Sequence, residues 1–191
     1  ANMADLTFWT NYGGLYERLR ITKNGQILTN GNTSLPTGST SGFGFATDQL
    51  WFSYTGSSAN YIQRFYNGNG LVGSIFVNGS STSFNTSSDY RLKENVVGIS
   101  DGITRLKTLK PSRFNFKVDK DTTVDGFLAH EVTPAVPEAI TGTKDEVDSD
   151  NNPIYQGIDQ SKLVPLLTAA LQEAVTKIET LETKVAALEA A

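Results

Sequence analysis

The residues best able to do chemistry lie in Ser87-Ser88-Asp89-Tyr90-Arg91-Leu92-Lys93-Glu94-Asn95, near the middle of the chain. The Ser88 hydroxyl stands five residues before the Lys93 amine, with the Asp89 carboxylate and the Arg91 guanidinium between them. A serine hydroxyl is a weak nucleophile at neutral pH and needs a base beside it, a role that a lysine amine fills only when uncharged. An exposed lysine titrates at about 10.4, so burial or a cationic neighbour has to favour the neutral form. Arg91 would help if it pointed the same way. Serine–lysine pairs are a known variant of triad logic without histidine. On an extended strand, side chains five apart face opposite sides, so contact between Ser88 and Lys93 demands a turn or a bulge. Taken by itself, the string also reads as a polar loop leading into a domain. On residue types alone that polar-loop reading is the stronger one, although the string sits at the seam between two halves of different composition. A nucleophile–base pair at such a seam suggests that the chain cuts itself there.

The elements on either side differ in kind. Residues 1–87 read as short strands and turns. Glu17-Arg18-Leu19-Arg20-Ile21-Thr22 alternates polar and apolar, and Lys23-Asn24-Gly25 turns it into Gln26-Ile27-Leu28. Gly31 to Gly44 reads as a loop. Leu50–Thr55 and Tyr61–Tyr66 are aromatic strands, Asn67-Gly68-Asn69-Gly70 turns the second into Leu71–Val77, and Asn78-Gly79 leads to a polar strand ending near Thr86. Residues 88–160 are mixed. A short helix is expected over Gly102–Leu109, with Asp101 as its N-cap and Lys110-Pro111 as its stop. A strand is expected over Ser112–Val118, a turn over Asp119–Thr123 and a second strand over Val124–Glu131. Pro134 and Pro137 break the next stretch, Lys144–Asn152 is an acidic loop, and Ile154–Ile158 is a short strand.

The C-terminal segment carries the clearest periodicity. Val164, Leu167, Leu171, Ala174, Ile178, Leu181, Val185 and Leu188 are spaced alternately three and four apart. This is an a/d seam of about three and a half heptads, which predicts a coiled-coil helix over about 162–190. Lys177 and Lys184 fall at g, Glu182 and Glu189 at e, so in a parallel assembly each lysine meets a partner's glutamate. Val and Ile at a with Leu at d lean toward two strands, a preference that Ala174 at d weakens. An amphipathic helix lying on its own domain's core is the competing reading. Pro165 must lie near the helix start.

Bulk composition excludes several classes. The chain has 191 residues, 38% of them hydrophobic, 17 glycines, no cysteine, one histidine and a net charge of −4. The first ninety residues hold too little apolar material for a large core, so that half is loosely packed or borrows its core from neighbouring chains. No basic face is expected, hence no nucleic-acid partner. Without cysteine and with a single histidine, thiol chemistry, disulfides and multi-histidine metal sites are excluded, and no cofactor is predicted. No apolar run is long enough to insert in a membrane. Ala1-Asn2-Met3 lacks the features of a signal peptide, and the start reads as lying within a longer protein.

Ser88-Asp89-Tyr90-Arg91-Leu92-Lys93-Glu94-Asn95-Val96 resembles the opening motif of the peptidase S74 family, the intramolecular chaperone domains that end phage tail fibres, tailspikes and endosialidases and that occur also in the myelin regulatory factor. Four further segments resemble the family in the same order: Ile103–Pro111, Gly126–Val132, Val136–Gly142 and Ile158–Leu167. The likeness covers residues 88–191. Glu17–Gly25 is similar to the β-repeat that precedes such domains in phage fibres. The resemblance implies an α+β, elongated homotrimer. It has an N-terminal intertwined β-rich fibre segment over 1–87, then a mixed α/β chaperone domain over 88–191 ending in the coiled coil. It implies three strands, and we follow it over the two-strand lean. It further implies that Ser88 is the nucleophile, Lys93 its general base and the Ser87–Ser88 bond the cleavage site, with Asp89 and Arg91 as structural support. The fibre part would stay on the virion after assembly in the host cytoplasm and meet a host cell-surface receptor, saccharides among the candidates. The chaperone would be released. A β-fibre woven from three chains has a costly loop-closure nucleus, whereas a helical bundle forms fast and locally. Tethering three ends raises their effective concentration to about the millimolar range, and cutting the tether afterwards traps the fibre kinetically.

Other candidates are weaker. His130-Glu131 lacks a second histidine and reads as structural. Asp145, Glu146, Asp148 and Asp150 lack the glycine and closing glutamate of a calcium loop and read as a solvated acidic loop. Trp9, Tyr12, Trp51, Phe52, Tyr54, Tyr61, Phe65 and Tyr66 could stack on sugars but read first as core and interchain packing. No carboxylate pair suggests glycoside hydrolysis in residues 1–87. The rival function is a purely structural trimeric adhesin with an uncleaved coiled-coil cap. A membrane-released regulator with the same module lacks the basic surface it would need.

Overall fold

In a computed structural model the chain forms two compact units, Ala1–Glu94 and Asn95–Ala191. Residues 4–29, 31, 32, 34–36, 39–46 and 48–190 are described. The expectations for Ala1–Met3, and for Thr33, Thr37 and Gly38 within the 31–44 loop, lie outside them.

The first unit holds two antiparallel sheets. One is a meander of β1 (Leu6–Asn11), β2 (Leu15–Ile21), β3 (Ile27–Thr29), β4 (Gly42–Phe45) and β5 (Leu50–Ser53), each paired with the next. The other consists of β6 (Asn60–Asn67), β7 (Gly70–Asn78) and β8 (Ser81–Thr86), in that order. The β2–β3 turn closes through Gly25 N–H and Thr22 N–H, which donate to Thr22 O and Gln26 O, both at 2.8 Å. The expected loop 31–44 is corrected at its end, where β4 begins at Gly42. Two glycines hide this strand from a propensity reading. A Cβ on Gly44 would stand only 3.0 Å from Leu35 and Pro36 and 3.1 Å from Leu28, so the strand fits against the buried Leu28 only without a side chain there.

This unit buries little. Leu28 and Pro36 are its largest fully enclosed side chains. Of the aromatic residues expected in core or interchain packing, Trp9, Tyr12, Phe52, Tyr61, Phe65 and Tyr66 are exposed in the single chain, and Trp51 and Tyr54 half-buried, so the chain's own core does not take them in. Sheets this narrow leave their apolar rows uncovered until another surface meets them.

The second unit is mixed. It runs α1 (Gly102–Leu106), β9 (Ser112–Phe116), β10 (Asp119–Gly126), α2 (Ala129–Val132), a 3-10 turn at Pro137–Ala139, β11 (Ile140–Thr141), β12 (Gly157–Ile158), a 3-10 turn at Gln160–Leu163 and α3 (Val164–Glu189). β9 pairs antiparallel with β10, and β11 with β12. The turn expected at Asp119–Thr123 is a bulge inside β10: the register slips between Asp119 and Thr123, and Asn115 Nδ2 bridges Lys120 O at 2.8 Å and Thr123 Oγ1 at 3.1 Å. The strand expected over Val124–Glu131 ends at Gly126, and Ala129–Val132 is a helical turn. Val132, Ala135, Val136 and Ala139 are all buried, with the i, i+3, i+4, i+7 spacing of a helix face. Pro134 and Pro137 interrupt that period and mask it. The strand expected over 154–158 shrinks to β12, because Ile154 N–H donates outward to Glu146 O at 2.8 Å instead.

The core gathers Leu109, Val132, Ala135, Val136, Ala139, Leu163 and Leu166, with Leu106, Phe127, Ile140 and Ile158 packed against it. Each fully buried leucine or valine stabilises by roughly 1.5–3 kcal/mol. α1 crosses α3 at its first residue. A Cβ on Gly102 would lie 2.6 Å from Ala170 N and 2.8 Å from Ala169 C, both backbone atoms that cannot swing aside. Asp101, expected to cap α1, makes no capping bond. The cap comes from α3, where the Glu173 carboxylate accepts Gly102 N–H at 2.5 Å and Ile103 N–H at 3.3 Å. Asp101 sits 3.8 Å from Arg105 Nη1 instead. We expect Gly102→Ala to lower the unfolding free energy by roughly 1–3 kcal/mol through forced displacement of α1. A denaturant midpoint equal to wild type would contradict this packing.

α3 presents two faces. Leu166, Ala169 and Ala170 are buried in the chain's own core, so the reading of a helix on its own domain holds for one face near its start. The expected seam is another face: Val164, Leu167, Leu171, Ile178, Leu181, Val185 and Leu188 are all exposed, Leu171 at 65% and Ile178 at 54%, and Ala174 is half-buried. From Val175 to Ala190 every residue is exposed. Among the described residues, no helix is long and apolar enough to cross a membrane.

Candidate functional site

The junction between β8 and Asn95 is built by two sets of hydrogen bonds. Ser87 continues β8 against β7: its N–H donates to Val72 O at 3.2 Å and its hydroxyl to Leu71 O at 2.7 Å. Past Ser88 the chain enters a 3-10 turn over Tyr90–Leu92, with Leu92 N–H donating to Asp89 O and Lys93 N–H to Tyr90 O, both at 3.1 Å. Asp89 caps this turn. Its Oδ1 accepts Arg91 N–H at 2.9 Å, as N-cap carboxylates do, and its two oxygens take Arg91 Nε at 2.9 Å and Nη2 at 2.7 Å. The guanidinium bonds, then the Arg91 backbone N–H, hold the Asp89 carboxyl below its ordinary range.

The turn supplies the contact that an extended chain would forbid. One turn of 3-10 helix brings Lys93 back over Ser88, and Lys93 Nζ donates to Ser88 Oγ at 2.8 Å. Ser88 and Lys93 are both exposed in the single chain. The Arg91 guanidinium is paired with Asp89, which gives it a part in shaping the turn. Ser87 also lines an open groove of about 320 Å³ with Tyr61, Leu71, Ser74, Asn85 and Thr86 among others.

The remaining candidates lie elsewhere. Glu131 pairs with Lys110 at 2.9 Å, and exposed His130 borders a separate shallow groove with Lys144 and Gln156. In the acidic loop, Asp148 Oδ1 accepts the backbone N–H groups of Asp150 at 2.9 Å and Asn152 at 2.8 Å, so this carboxylate organises the loop. Sequence reasoning misses Glu173, whose cap crosses from α3 to α1 with no local signature. It also misses the anchoring of Ser87, visible only once β7 and β8 are paired.

The serine–lysine contact on its capped turn is thus followed by a mixed α/β unit that ends in a long helix with an exposed apolar seam. Residues 88–141 match the family model of peptidase S74, described as chaperone of endosialidase. The match opens at Ser88 and takes in the 103–111 and 126–132 segments and most of 136–142; the segment at 158–167 lies beyond it. No curated protein matches the chain.

Proposed function

We propose that this chain is the C-terminal part of a phage tail fibre or tailspike, in which residues 88–191 bring three copies together, promote folding of the β-rich segment 1–87, and then cut themselves off between Ser87 and Ser88. The observation that carries the proposal is the 2.8 Å approach of Lys93 Nζ to Ser88 Oγ at the first residues of the family match. With Lys93 uncharged, Ser88 Oγ gives its proton to Nζ and bonds to the Ser87 carbonyl carbon. The carbon–nitrogen bond breaks, the proton passes from Nζ to the Ser88 nitrogen, and an ester joins Ser87 to Ser88 Oγ. Water then adds to the ester and the Oγ leaves with a proton. The products are a Ser87 carboxylate and a free Ser88 amine.

Two features support assembly before cleavage. A helix end with every residue exposed from Val175 onward is marginal alone, and its apolar stripe fits parallel copies of itself. The amine is exposed in the single chain, and neighbouring chains packed around it would exclude water and so favour an uncharged base. The exposed aromatic rows of residues 1–87 would pack against other copies. Their outer faces would meet a host receptor, and the fibre would remain on the virion after the chaperone leaves.

The experiment is the cleavage rate of the refolding full chain against pH, with light scattering on the product. The rate should rise with pH as the amine loses its proton. Asp89 does not mimic this, since a depressed carboxyl holds its ion pair above its ordinary value of 3.8 and loses it only as pH falls through the lower folded value. A rate independent of pH between roughly 5 and 9 would exclude a lysine base, and a monomer by light scattering would exclude the seam.

A further inference from the structure

We infer that the Ser87 side chain is a positioning group for the cut, fixing the scissile carbonyl to the end of the fibre sheet so that cleavage waits on β7–β8 pairing. The inference rests on the proposed cleavage at Ser88. Ser87 is bound twice to consecutive carbonyls of β7, through N–H to Val72 O at 3.2 Å and through its hydroxyl to Leu71 O at 2.7 Å. On the other side, Asp89 caps the 3-10 turn that carries Lys93. Ser88 is thus the single residue between two fixed points, one in the sheet and one in the turn.

Attack by Ser88 Oγ on the preceding carbonyl closes a five-membered ring, which is productive only in a narrow range of rotations about the Ser87–Ser88 linkage. With both ends held, that range is set by the structure rather than found by chance, and orientation of this kind is worth orders of magnitude in rate. The backbone bond from Ser87 N–H is available to any residue but proline. The hydroxyl bond is what serine adds, and it exists only when Leu71 is in place on β7, whose pairing with β8 runs from Gly73↔Thr86 to Asn78↔Ser81. An unpaired β8 leaves Ser87 free and the carbonyl unaligned. The anchor therefore ties release of the chaperone to completion of the last hairpin of the fibre segment.

The test follows precursor and product during cell-free synthesis of the full chain for wild type, Ser87→Ala and Ser87→Thr, across pH. Ser87→Ala should cleave roughly tenfold more slowly, the effect of one lost orienting hydrogen bond. Ser87→Thr keeps the hydroxyl and should recover most of the lost rate. The pH at which the rate is half-maximal should be the same in all three, because the base is untouched. Equal rates for wild type and Ser87→Ala, or a Ser87→Thr as slow as Ser87→Ala, overturn the anchor while leaving cleavage itself standing. If wild type does not cleave at all, the failure belongs to the proposed function. A Ser87→Ala change on the uncleavable Ser88→Ala background should leave the melting temperature unchanged; a large drop would assign Ser87 to fold stability and overturn the positioning role.

Discussion

Ser88→Ala is expected to give one full-length chain where, on the proposed function, wild type gives two fragments. The substitution removes a single oxygen from an exposed side chain at a sheet end, so the fold and the assembly should be unaffected. Without the hydroxyl there is no atom to form the ester, and product should fall below detection, since loss of a serine nucleophile costs about 10⁶-fold in rate in a well-studied serine protease. Lys93→Ala should have the same outcome. Lys93→Arg is the more discriminating change. It keeps the positive charge and the ability to donate to Ser88 Oγ, but a guanidinium cannot accept the hydroxyl proton in this pH range. If Lys93 acts only as a structural hydrogen-bond donor, Lys93→Arg will cleave; as a base, it will not. The check is a denaturing gel and intact mass on all three variants, alongside size-exclusion light scattering to establish that assembly is retained.

Ile178→Asp should dissociate the assembly and, through it, stop the cut. Ile178 is 54% exposed in the single chain and sits at the centre of the a/d seam, where Leu171, Ala174, Leu181 and Val185 flank it. Burying a charge in each copy at one layer removes about 2–5 kcal/mol of apolar packing per chain and adds mutual repulsion. The face of α3 that serves the chain's own core, at Leu166, Ala169 and Ala170, lies earlier in the helix and is untouched, so the isolated second unit should keep its secondary structure. If desolvation of Lys93 comes from neighbouring chains, the dissociated variant also fails to cleave although its Ser88 and Lys93 are intact. Full cleavage in a monomeric Ile178→Asp would show that one chain suffices and would separate the protease from the assembly.

These expectations draw on a fold that the residues announce unevenly. The helix is plain in the sequence because its apolar positions repeat without error and Pro165 marks its start; α3 begins at Val164. The hairpins are equally plain wherever an Asn-Gly pair separates alternating runs, as at Asn24-Gly25 and Asn78-Gly79. β4 escapes notice because Gly42 and Gly44 are there for the space they leave, and β-propensity cannot register an absent side chain. The segment Phe127–Val132 misleads in the opposite sense. Its apolar run suits a strand, but burial of Val132 with Ala135, Val136 and Ala139 wins, and the backbone turns helical. The exposed aromatic rows fit the proposed assembly: types that usually fill cores do so only when a covering surface exists.

The Ser88–Lys93 pair itself was legible as residue types and spacing but not as geometry. Spacing alone demanded a turn; the Asp89 carboxylate, paired with Arg91 and capping Tyr90–Leu92, is what makes one. The two anchors flanking Ser88 depend on strand pairing and on a cap, and neither has a signature outside the folded chain.

The most direct test of the central claim is the intact mass of the wild-type protein after expression and assembly. A self-cleaving chaperone predicts two species, one ending at Ser87 and the other beginning at Ser88. A single mass for the whole chain in an assembled particle, unchanged on prolonged incubation at alkaline pH, would contradict it and leave residues 88–191 as a permanent clamp.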